Sequence, residues 1–109
     1  MAEAIKVLGQ TNPAVTTLTD AYTVPALTSA VLSSIHICNR TGSSVAVRVS
    51  VAVAGAADDL KQYLLYDVEI DKNDPLVLTE GITLGTGDVV RVYTDTLGVS
   101  FSLFGTEVS

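Results

Sequence analysis

The sequence predicts an all-β chain, a single β-sandwich of about eight short antiparallel strands in a jelly-roll or Greek-key arrangement. Three observations lead there. Valine recurs at every second position from Val45 to Val53, the period of a strand that buries one face. Turn residues punctuate the chain about every 8–12 residues, the spacing of sandwiches and barrels. No stretch combines helical periodicity with helix caps.

The first strand covers Ala4 to Gln10 and stops at Thr11-Asn12-Pro13, where proline has no N–H to offer a ladder. A threonine-rich second strand runs from Thr16 to Val24 and ends at Pro25. From Ala30 to Asn39, Val31, Ser33, Ile35 and Ile37 alternate with Leu32, Ser34, His36 and Cys38. The turn Arg40-Thr41-Gly42-Ser43 leads into the valine strand, and these two strands are expected to pair as the central hairpin. Gly55 to Asp59 is a flexible connection. Lys61 to Ile70 returns as a strand with Leu64, Tyr66, Val68 and Ile70 on its apolar side. Lys72-Asn73-Asp74-Pro75 turns the chain through its Asx side chains. Short strands at 76–79 and 82–84 flank Glu80-Gly81, and Gly85 to Asp88 turns again. Val89–Thr94 and Val99–Phe104 are expected to close the fold as a pair across residues 95–98.

With 109 residues there is room for one domain, residues 1–109. Charged residues make up only 17% of the chain, against roughly 25% in ordinary domains. Apolar residues reach 48%, yet no run is long enough to cross a membrane as a helix. The opening Met1-Ala2-Glu3-Ala4 is acidic and does not read as a signal peptide. Burial against other subunits accounts for the apolar surplus. The second face of the valine strand supports this. Ala46, Arg48, Ser50, Ala52 and Ala54 are small apart from one arginine, and they are the expected interface. A net charge of −6 with scattered basic residues argues against nucleic acid. The single cysteine, Cys38, forms no internal disulfide framework.

Catalytic signals are weak, and the chain is expected not to be an enzyme and to need no cofactor or small-molecule substrate. His36 and Cys38 share a strand face, but a metal site needs three or four ligands and a nucleophile needs an oriented base. Packing explains them more simply. Asp67, Glu69, Asp71 and Asp74 resemble calcium ligands without the spacing of a calcium loop. Gly85-Thr86-Gly87 lacks the lysine and helix of a phosphate loop. Asn39-Arg40-Thr41 is a chance glycosylation match. The four tyrosines are spread along the chain and read as packing at sheet edges or between subunits.

Several segments, taken in order, resemble small virion proteins of tailed bacteriophages. They include Lys6-Val7-Leu8-Gly9-Gln10, Tyr22-Thr23-Val24-Pro25-Ala26, Ile37-Cys38-Asn39-Arg40 and Val49 through Ala56. Tyr66-Asp67-Val68, Gly81-Ile82-Thr83-Leu84, Asp88 through Tyr93, Ser100-Phe101 and Gly105-Thr106-Glu107 continue the likeness over most of the chain. The resemblance implies a β-sandwich of the head decoration or cement type, assembled in the host cytoplasm onto the capsid exterior. Its implied partners are its own copies, as dimer or trimer, and the major capsid protein. A tail, neck, baseplate or fibre-associated role is the alternative, and a small carbohydrate-binding sandwich the second alternative. No catalytic residue is carried over.

Overall fold

The computed structural model describes residues 2–109 as two antiparallel sheets packed face to face. The strands are β1 (Glu3–Thr11), β2 (Thr19–Thr23), β3 (Ser29–Asn39), β4 (Val45–Ala52), β5 (Tyr63–Ile70), β6 (Pro75–Leu78), β7 (Ile82–Leu84), β8 (Val89–Thr94) and β9 (Val99–Val108). The first sheet has the order β1-β9-β3-β6, with β7 also paired to β3; the second is β2-β8-β4-β5. Every connection crosses between the sheets except β4 to β5 and β6 to β7. This interleaving, with β1 beside β9, is jelly-roll connectivity.

The core lies between the sheets. Val45, Val47 and Val49 of β4 point into it beside Val90 and Val92 of β8. Opposite them stand Ile35 and Ile37 of β3 with Val99, Phe101 and Leu103 of β9. The alternation of β4 therefore reads as expected up to Val49; Val51 is half-buried, and Val53 leaves the sheet in a short 3₁₀ turn.

Two expected pairings are corrected. β3 and β4 do not form a hairpin, and β8 and β9 do not pair; in each case the strands lie in opposite sheets. Alternation states which side of a strand is buried, and a strand facing across the core satisfies it as well as a hydrogen-bonded neighbour. Both edges of β3 are already occupied, by β9 on one side and by β6 and β7 on the other. The crossing from β3 to β4 is held by Asn39, which is wholly buried. Its amide nitrogen donates to the carbonyls of Ser43 and Ile70 at 2.9 and 3.1 Å, and its oxygen accepts from the Thr41 backbone N–H at 2.9 Å.

Bulges correct the expected phase of two strands. Between Leu32 and Ser34, β3 spends one extra residue against β9, so Ala30 and Leu32 face the core with Ile35 and Ile37. Val31 consequently faces outward. In β5 the register passes from Val49↔Leu65 to Val47↔Val68, so two residues, Tyr66 and Asp67, oppose Arg48 alone. Leu64 and Tyr66, expected inside, are exposed, while Leu65 is half-buried against the core. The second strand is also shorter than expected: Thr16 sits in a turn with φ 52° and pairing begins at Thr19. Leu60–Gln62 is a 3₁₀ turn preceding β5.

At one end the first sheet outreaches the second. Here Lys6 and Tyr22 converge on Glu107, at 2.8 Å and 2.6 Å. The Lys6 ammonium first, then the Tyr22 hydroxyl, holds the Glu107 carboxyl below its ordinary 4.5. Burial, reinforced by that carboxylate, pushes the Tyr22 phenol well above its usual range. The backbones of Ala2 and Ser109 exchange hydrogen bonds of 2.8 and 2.9 Å at the same end. Close packing continues at Gly105, where a Cβ would collide with the Val31 carbonyl oxygen.

Replacing Asn39 with Ala should cost about 3 kcal/mol in urea unfolding, because several buried backbone groups lose their partner together. Glu107 binds fewer protons folded than unfolded around its ordinary pKa. Its contribution is therefore complete above that value and is lost as pH falls through the depressed folded value. The stability gap between wild type and Glu107→Gln should accordingly be wider at pH 7 than at about pH 3. An unchanged gap would remove the carboxylate from that role.

Candidate functional site: an arginine clamped between two tyrosines

The outer face of the second sheet carries an organised polar and aromatic cluster. Arg48 lies opposite Tyr93 on β8 and opposite the two-residue bulge of β5. The bulge explains the arrangement, since it delivers both Tyr66 and Asp67 to one arginine. The guanidinium carbon lies 4.3 Å from the Tyr66 ring centroid and 4.5 Å from that of Tyr93. Asp67 accepts from Nε at 2.6 Å and from Nη2 at 3.2 Å, a forked geometry that lysine cannot reproduce. Asp67 adopts φ 54°, a left-handed conformation that aspartate tolerates better than most residues.

Tyr63 extends the cluster. Its ring meets Tyr66 edge to face at 5.1 Å, and its hydroxyl donates to Asp58 at 2.8 Å. Burial, and then that hydrogen bond, raises the Tyr63 phenol above its usual value. Nearby, Arg91 donates to Asp20 and to the carbonyls of Gly55 and Ala56, tying the connection after β4 onto the sheet.

Among the expected interface residues, Arg48 is central to this cluster and Ala46 is half-buried beside it. Ser50 and Ala52 are wholly buried within the chain, and Ala54 is exposed in a left-handed turn. A charge at Ala52 would therefore challenge folding before it challenged docking. Three of the tyrosines, read from the sequence as dispersed, meet here, while Tyr22 belongs to the core. Only the register and the bulge bring them together, and neither leaves a mark in the residue pattern.

The other candidates have structural partners. His36 and Cys38 are both exposed on the outside of the first sheet, with the His36 ring packed edge to face on Phe104. Asp67 is engaged by Arg48, and the Asp71 carboxylate accepts the Lys72 backbone N–H. Among the described residues no three His, Cys, Asp or Glu side chains group as a metal site would require. Asp88 accepts from the backbone N–H of Gly85 and of Ala54, which makes 85–88 a turn closed on itself.

Chemically, this cluster suits recognition by contact. Tyrosine and arginine, rigidly held on strands and partly exposed, are the residue types that dominate binding energy at protein interfaces. Tyr66 is 49% exposed and Leu64 beside it 43%. Comparison with protein-family models finds none that matches this chain, and comparison with curated proteins finds no match.

Replacing Arg48 with Lys keeps the charge but loses the fork and the flat stack, and should lower stability by about 1 kcal/mol. Asp67→Asn should cost less, since the pair is half-exposed and screened. Urea unfolding of both variants checks the order; two silent substitutions would mean the stack contributes nothing.

Proposed function

We propose that this chain is a structural protein of a tailed-bacteriophage particle, and within that class a head decoration protein on the outer capsid surface. There it bridges neighbouring major capsid subunits. The observation that carries the reading is the Arg48–Tyr66–Tyr93 cluster, a contact patch displayed on a rigid sheet. The ordered resemblance along most of the chain supplies the particle. A shell strained by packaged DNA gains from many copies of a stiff clip, each of modest affinity. A jelly-roll sandwich, its first strand paired with its last, is such a clip. A place on the tail, neck or baseplate uses the same surface chemistry.

Three tyrosines gathered on one face also favour a second reading, a carbohydrate-binding sandwich in which an exposed ring such as Tyr66 receives a sugar. A thermal-shift screen with oligosaccharides would reveal it.

Cryo-microscopy of particles bearing the protein tests the main proposal. Density over the capsid lattice is expected, and density confined to the tail would move the protein there. Tyr66→Ala should leave the fold intact and weaken binding to purified heads by about tenfold or more, as loss of a hot-spot ring does. Undiminished binding would take the cluster out of the contact.

A further inference from the structure

We infer that two copies of this chain associate face to face through the outer surface of the first sheet, on the opposite side of the molecule from the arginine–tyrosine cluster. Cross-strand register defines that surface. One row reads Ile5, Thr106, Val31 and Thr83; the next Val7, Phe104 and Ser34; then Gln10, Ser102, His36 and Val77; and finally Ser100, Cys38 and Pro75. Ile5 is 88% exposed, and Val7, Val77 and Val31 are also open to solvent. Short hydroxyl side chains lie between them, and the His36 and Phe104 rings pack edge to face at the middle.

Charge selects the occupant. The chain carries −6 overall, yet the outward strand positions of this sheet hold one carboxylate, Glu3. At the far end the Arg40 side chain lies along the same surface, donating to Ser100 at 3.0 Å and to Asn12 at 2.9 Å. Two acidic copies repel through their other surfaces and meet without net charge here. A two-fold arrangement with the strands reversed sets Glu3 of each copy toward Arg40 of the other, so the surface complements itself. Its size is sufficient. Four strand positions by about ten residues project to roughly 600 Å² at ordinary strand spacing, close to the roughly 800 Å² per partner of a standard interface. The inference does not depend on a place in a phage particle.

Sedimentation and light scattering of the intact chain over a range of concentrations test it. A dimer is expected, with Ile5→Glu and Val31→Glu each weakening it about tenfold or more, as an unpaired desolvated charge does. Both side chains are exposed in the single chain, so the variants should keep the wild-type circular dichroism, and should match its melting point at concentrations too low for the wild type to associate. Cys38 serves as a built-in reporter: its reaction with a bulky maleimide should slow as wild-type concentration rises, and not in the variants. Glu3→Lys should weaken the dimer, and adding Arg40→Glu should restore it. A monomer at every concentration overturns the inference, as does a dimer indifferent to Ile5 and Val31. Failure of the charge swap to restore association overturns the two-fold pairing. A monomeric wild type whose head binding is nevertheless lost with Ile5→Glu would assign this surface to the capsid and not to a second copy.

Discussion

A strand commits alternate side chains to opposite sides of its sheet, and a core stays dry only where that commitment holds along the whole strand. Strands here are long relative to the core they cover, and they twist. Single extra residues at Leu8, Ala21, Ser33 and Leu64, together with the doubled position at Tyr66–Asp67, reset the phase of their strands. The bulges at Leu8 and Ser33 flank the same stretch of β9, around Phe104 and Gly105, so the first sheet bends there as a unit. Gly105 is needed at that bend because β3 passes too close for any side chain.

This explains which parts of the fold could be read in advance. The strand of valines announced itself, and Val45, Val47 and Val49 are fully enclosed. The first strand stops at Asn12-Pro13, and the turns at Lys72-Asn73 and Thr86-Gly87 fall where proline, glycine and Asx residues placed them. Partnership was not legible. β3 and β4 both needed an apolar surface opposite them, and that demand is met equally by a neighbour in the sheet or a strand across the core. The candidate site was half-legible. Arg48 stood out as the one charge on a small-residue face, but its companions come from β5 and β8, and a bulge with no sequence signature aligns them.

The two outer surfaces differ in character. That of the second sheet holds its arginine in a specific and directional grip, with its polar atoms already engaged inside the chain. That of the first is broad, poor in charge and dominated by valine, isoleucine, serine and threonine around the Phe104 and His36 rings. Directional contacts confer selectivity for a particular partner, whereas flat apolar ones reward shape and area. If both proposals hold, a sandwich carrying one of each would face two unlike neighbours, with the packed core between them.

The union of the earliest and latest strands has a consequence for construction. With Ala2 and Ser109 bonded to one another, positions 2 and 109 sit together at a single pole. A peptide or reporter grafted at either position would project from that pole, clear of the arginine. A tight connection of about two residues would span the gap between those two positions.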